Sequence, residues 1–266
     1  MGKRDNKKAN LFERFAINLE LLKLHPSVTV APDTPNSYVC PLCWKLFPKE
    51  ALQVLTLEHV PPQHFGGHIR LLTCQICNNS SGHLLDSHLA RKEDLADAFE
   101  TRTAIEAMFT LNQSIRIGGT FQFPKQGSIH LKVDKTSNPY RYPDLIRLFE
   151  QGLTPDIHIS FKGYNQRNVK LAMVRIAYLL AVSELGYGFL CNDRIHAVRL
   201  QIQSPQKEIF SLLGILEYDF PDALLGINYV SYPAEEDAFL VVFEMNTTSR
   251  VKRYGVLLPG TDELYN

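Results

Sequence analysis

Two Cys-x-x-Cys pairs, Cys40/Cys43 and Cys74/Cys77, constrain this chain more than any other feature. Each pair can grip one metal ion from a tight turn, and the 30 residues between Cys43 and Cys74 are enough for a hairpin that brings the pairs together. Four thiolates at one point predict a tetrahedral, structural Zn²⁺ site, which can fold a segment with too little apolar material to fold alone. Trp44 and Phe47, just past the first pair, are expected to pack on its small core. Pairs this tight suit a metal better than long-range disulfides, so a reducing, cytoplasmic setting is expected. The fifth cysteine, Cys191, stands alone and reads as a small hydrophobe in the interior.

With 266 residues, 45% of them hydrophobic and 21% charged, the chain can bury a core. Its 28 basic and 28 acidic side chains cancel, so a nucleic-acid partner has to be argued from local patches. The one basic cluster is Lys3, Arg4, Lys7 and Lys8, read as a solvated tail with a phosphate-contacting arm as the alternative. No apolar signal segment follows it. The longest greasy run, Leu171 to Leu185, is broken by Arg175, Ser183 and Glu184 and falls short of the about 20 apolar residues that span a bilayer, so no membrane partner is expected.

The periodicity predicts an α+β chain. Leu11, Phe15, Ile17, Leu21 and Leu22 mark an amphipathic helix, and Pro26, Pro32 and Pro35 a linker, giving an arm, helix and linker over 1–37. The zinc module is placed at 38–90, and a connecting helix at 91–113 closes a helical stretch over 83–110 marked by Leu89, Leu95, Ala98, Phe99, Ile105 and Phe109. A mixed, strand-rich domain with its own core follows at 114–266, expected to govern specificity or regulation. There Thr120–Phe123 and Ser128–Val133 read as a hairpin, and 157–162, 195–203, 227–232, 238–245 and 251–258 as strands. Val169, Ala172, Met173, Ile176 and Leu179 predict one long helix from Asn168 to Leu185, capped by Gly186.

The chemistry lies between and after the cysteines. In Leu55-Thr56-Leu57-Glu58-His59-Val60 the residues favour a strand ended by Pro61 and Pro62, on which Glu58 and His59 point to opposite faces unless a bulge intervenes. An acid beside a histidine suits a metal ligand next to a water-activating base. Past Cys77, a helix starting near Asn78 would place Asn79, His83 and Asp86 on one face and Asn78 with Gly82 on another; either Asn can instead be an N-cap. His64, His68 and His88 read as surface or phosphate-proximal residues.

The order Cys-x-x-Cys, Glu-His-Val-Pro-Pro, Phe-Gly-Gly, Leu-Thr-Cys-x-x-Cys-Asn and Gly-x-x-x-Asp resembles the HNH endonucleases, in their zinc-stapled ββα-metal branch, over residues 40 to about 90. Residues 176–187 also resemble a helix that often follows such modules in bacterial proteins. The resemblance implies a small ββα-metal fold, hydrolysis of double-stranded DNA, His59 as general base, and Glu58 with Asn78 holding one Mg²⁺ or Mn²⁺. Asp86 would complete that shell or anchor the helix. Gly82 stands where many relatives carry a ligand and His83 is one residue late, so the third helix ligand stays open among Asn79, His83 and Asp86. The implied setting is bacterial restriction or anti-phage defence, with a homodimer or a partner protein as further expectations. The competing reading is a non-catalytic zinc module that only binds nucleic acid or protein. A thiol oxidoreductase would leave the Glu-His and Asn elements without a use.

Overall fold

The structure is a computed structural model that describes residues 2–23, 36–125, 128–152, 154–209, 214–230 and 237–260. It is a mixed α+β protein with small antiparallel sheets. The chain divides into two compact units, residues 1–89, 165–246 and 250–266 in the first and 90–164 with 247–249 in the second. This corrects the division at 91 and 114. The cysteine-bearing segment is no free-standing module, because the chain returns at residue 165 to complete the same unit.

In the first unit, helix α1 (Lys3–Lys23) buries Phe12, Phe15, Ala16 and Leu19, an i, i+3, i+4, i+7 stripe, and leaves Ile17 exposed. The apolar face is thus turned from the expected one. The basic residues Arg4, Lys7 and Lys8 belong to this helix and not to a tail. The side chains of Leu21 and Leu22, and the linker with its three prolines, lie outside the described residues.

Strands β1 (Ser37–Val39) and β2 (Leu46–Pro48) form one hairpin, and β3 (Leu55–Val60) and β4 (His68–Cys74) form a second. Two glycines shape the tip of the second. Gly66 sits at φ +76°, and a Cβ on Gly67 would collide with the Pro61 carbonyl. Helix α2 (Gln75–Ser81) starts directly after Cys74 and runs through a π turn at Gly82–Asp86 into α3 (Ser87–Thr101).

A four-stranded sheet of this unit is formed by β9 (Ile215–Glu217), β10 (Gly226–Val230), β11 (Ala238–Asn246) and β12 (Val251–Pro259), in the order β10-β11-β12-β9. The expected strands at 227–232, 238–245 and 251–258 are found here, with 231–232 outside the described residues. At the centre of the unit lies α5 (Gln166–Leu185). Its N-cap Asn165 accepts from the Asn168 amide, and it ends at Gly186, φ +71°. It is buried on nearly every side, as its all-round apolar sequence requires. The strand expected at 195–203 is instead helix α6 (Asp193–Gln203). Ile195, Val198 and Ile202 are buried at helical spacing, and the Asn192 side chain caps the first turn.

In the second unit β5 (Ile105–Leu111), β6 (Ile115–Gln122), β7 (His130–Val133) and β8 (Ile157–Phe161) form a sheet in the order β7-β6-β5-β8, with α4 (Tyr142–Glu150) packed on it through Leu145. The expected β6–β7 hairpin is present, Gln122 opposite His130. The helix expected to reach residue 110 stops at Thr101. From Ile105 the burial alternates, with Ala107, Phe109 and Leu111 inward, which is the period of a strand.

Candidate functional site

The two hairpins and α2 converge on the cysteines. Cys40 directly follows β1, Cys43 sits in the ensuing turn, Cys74 ends β4 and Cys77 lies in the first turn of α2. The turn is closed by the Trp44 amide donating to the Cys40 carbonyl at 2.8 Å, and Trp44 itself takes φ +61°. All four sulfurs lie within 4.8 Å of one another, with Cys43 and Cys74 Sγ 3.7 Å apart. Tetrahedral coordination at a Zn–S distance of about 2.3 Å would space sulfurs by roughly 3.8 Å, so the donor set fits a metal such as zinc.

Hydrogen bonding within the cluster divides its protons. The Cys40 thiol is pushed up by its contacts with Cys43, Cys74 and Cys77, and the same contacts pull Cys43 down to about 2 and Cys74 down to about 6. Cys77 is lowered by Cys40, but Cys43 and burial together leave it raised. The shared contacts thus favour the thiol at Cys40 and Cys77 and the thiolate at Cys43 and Cys74.

The knuckle is clasped by the later chain. Tyr178 donates to the Pro41 carbonyl at 2.5 Å, Arg199 and Gln203 donate to the Leu42 carbonyl, and the Tyr187 hydroxyl bonds both the Val39 amide and carbonyl at 2.8 Å. Arg199 also lies over the Trp44 ring, 5.0 Å from its centroid; Trp44 is exposed, so it covers the knuckle from outside and is not part of a small core as expected.

Glu58 and His59 lie on β3, where the pairing with β4 slips by one residue: Glu58 faces Leu71 and His59 faces Ile69. Glu58 is buried, at 4% exposure, and His59 is half-buried. Both Glu58 oxygens have protein donors, Oε1 from Arg175 Nη2 at 2.6 Å and Oε2 from Thr73 Oγ1 at 2.7 Å. Arg175 Nη1 reaches both Asp86 oxygens at 3.2 Å. Burial alone would lower the Arg175 pKa, but Asp86 and Glu58 outweigh it and hold the guanidinium charged. For Asp86 burial dominates and raises the carboxyl, against the pull of Arg175. Arg175 Nε is buried without a hydrogen-bond partner among the described residues.

The π turn explains the helix residues. Its widened bonding, seen in the Ser87 amide donating to the Gly82 carbonyl, breaks the 100° step on which the shared face of Asn79, His83 and Asp86 rested. Asn79 and His83 are exposed, whereas Asp86 turns inward to Arg175. Asp86 anchors the helix. Asn78 is half-buried, and the N-cap is Cys74 rather than either Asn.

His59 lies on the accessible side. Burial lowers its pKa; Glu58 raises it, and Lys7, Arg4 and His68 lower it further. The net effect keeps the imidazole neutral at pH 7. Lys8 is turned away, donating to the Leu52 carbonyl at 3.3 Å, and the Lys3 side chain lies outside the described residues, as does that of Cys191. His64 and His68 are exposed, and His88 accepts from the Asn165 amide at 3.0 Å.

The cysteines are the one group of three or more His, Cys, Asp or Glu side chains gathered to hold a metal among the described residues. Glu58 and Asn78 do not present a ready site for Mg²⁺ or Mn²⁺, because a cation already neutralises Glu58. Arg175 and Arg199 are the residues that motif reading missed. For Arg175 the sequence does carry a signal, a lone guanidinium inside the apolar run Val174-Arg175-Ile176, which demands a buried acid. No described helix is long and apolar enough to cross a membrane.

No family model, curated protein or solved structure matches the chain.

Proposed function

We propose that this chain is a zinc-held nuclease of the HNH type, acting on DNA with His59 as its general base. The observation that carries the reading is His59 itself: half-exposed at the slip in the hairpin, kept neutral, and within the electrostatic reach of the positive side chains Lys7 and Arg4. A neutral imidazole can take a proton from water. The hydroxide so formed attacks phosphorus, the bond to the 3′ oxygen breaks, and that oxygen takes up a proton. The adjacent cations favour a phosphate at this place. A zinc ion on Cys40, Cys43, Cys74 and Cys77 fixes the frame, and restriction or anti-phage defence is the setting the sequence resemblance supports.

A second reading, a zinc module that binds nucleic acid without cutting it, is favoured by one observation, the closure of Glu58 on Arg175 and Thr73. Plasmid cleavage separates the two. His59→Ala should keep fold, zinc content and DNA binding while lowering cleavage by about 10²–10⁴-fold. Cleavage at the wild-type rate by that variant would sink the role of His59, and DNA binding by the wild type without cleavage would establish the second reading.

A further inference from the structure

Two carboxylates from separate elements, Glu58 on β3 and Asp86 at the π turn, converge on a single guanidinium delivered by α5. Arg175 is 1% exposed on its side chain, Glu58 5% and Asp86 19%, so the cluster is closed off from bulk water on the Glu58 side. The contacts are short and directional: 2.6 Å to Glu58 and 3.2 Å to each Asp86 oxygen. Thr73 covers the other Glu58 oxygen at 2.7 Å.

A hard divalent cation gathers six or more oxygens around itself, and carboxylates are the ligands that draw it in. Here it would have to enter beside a fixed positive charge in a region of low dielectric, where like charges repel strongly. A lysine could yield by losing its proton. An arginine cannot, since its guanidinium stays protonated in proteins. No third acidic, His or Cys side chain joins the pair among the described residues to offset that repulsion.

We infer that Arg175 takes the place of a divalent cation at this centre, as the fixed counter-charge of Glu58 and Asp86, and that this carboxylate pair binds neither Mg²⁺ nor Mn²⁺. Arg175 is then a positioning residue. It draws Glu58 inward, ties β3 to the helix, and leaves His59, the next residue along the slipped strand, directed to the accessible side. The charge of a phosphodiester would be met there by Arg4 and Lys7, a step that rests on the nuclease reading; the inference about Arg175 does not.

The test is a Mn²⁺ titration of the zinc-loaded full chain, followed by the loss of the free-ion electron paramagnetic resonance signal, in the wild type, Glu58→Gln and Arg175→Met. Wild type and Glu58→Gln should bind Mn²⁺ alike, within about twofold, whereas loss of a true carboxylate ligand would weaken binding by about tenfold or more. Arg175→Met, if folded, should gain Mn²⁺ affinity at the vacated position; if it does not fold, the first pair still decides. A Mn²⁺ ion held by the wild type and lost in Glu58→Gln would overturn the inference. Cleavage measured beside the titration keeps the two ideas apart. Its absence removes the nuclease reading and leaves the Mn²⁺ result to stand on its own.

Discussion

The β3–β4 hairpin carries two polar clusters, one on its cysteines and one on Glu58, and the two are built in opposite ways. At the cysteines four like ligands arrive from two local pairs, and they remain incomplete until a cation is added. At Glu58 the cation belongs to the chain and comes from a residue 117 positions away. The first cluster is conditional on metal and pH. The second needs no ligand, since the guanidinium that holds it belongs to the chain. One hairpin thus combines a cluster that can be emptied with one that cannot, and His59 follows directly on the second.

The largest effect is expected at the cysteine cluster. Cys40→Ser should abolish tight zinc retention, a contribution of about 10–16 kcal/mol for such thiolate sites, and should loosen residues 178–203, whose side chains clasp the knuckle carbonyls. Metal analysis together with proteolysis would show both. Zinc uptake should also release protons near pH 7, because Cys40 and Cys77 are raised toward the thiol and a metal takes thiolates. Zinc affinity therefore rises with pH until those two thiols titrate. Calorimetry in buffers of different ionisation heat measures the count, and zinc binding without proton release would break the contrast between the two clusters.

A smaller effect is expected at the other cluster. Glu58→Ala leaves Arg175 buried with Asp86 as its remaining acidic partner, and should cost about 3–5 kcal/mol, the usual penalty for stripping one member of a buried ion pair. The triple variant Glu58→Leu, Arg175→Met and Asp86→Leu should recover much of that loss, since well-packed apolar replacements of a whole buried charge cluster are often neutral. Chemical denaturation of the three proteins supplies the comparison. A cost for Glu58→Ala under about 1 kcal/mol would mean that the salt bridge is no more than a surface-like contact.

What could be read from the sequence follows the same divide. The Cys₄ cluster, the Glu-His strand, α5 with its glycine cap and the β6–β7 hairpin were legible because their signals lie within a few residues of one another. The Glu58–Arg175 pair was not, because nothing local to Glu58 states that an arginine of α5 will face it. Asp86 was misplaced on the helix by the π turn, which adds a residue to the turn without a mark in the composition. At α6 the residues Ile195, Val198 and Ile202 carried a helical period that a strand reading overrode, and β5 was lost inside an extended helix for the converse reason. In both, short apolar runs left helix and strand close in likelihood, and packing decided.

The smallest effect sharpens the comparison by supplying a buried carboxylate with no cation at all. In the second unit Asp97 is 3% exposed, and its oxygens accept from Thr247 Oγ1, Ser249 Oγ and the amides of Thr248 and Ser249. Burial would raise its pKa, yet these four donors outweigh it and hold the carboxyl below its ordinary 3.8. The sign follows: the stabilisation is full above the unfolded value and is lost as the pH falls through the lower native one. Asp97→Asn places an amide group against donors that have no use for it and should cost about 1–3 kcal/mol. The same substitution should flatten the acid limb of the stability curve, and denaturant melts between neutral and strongly acid pH would record both changes. Where Glu58 needs a charge to be buried, Asp97 needs only dipoles. An Asp97→Asn protein as stable as the wild type at pH 7 would show that these hydrogen bonds merely replace those to water.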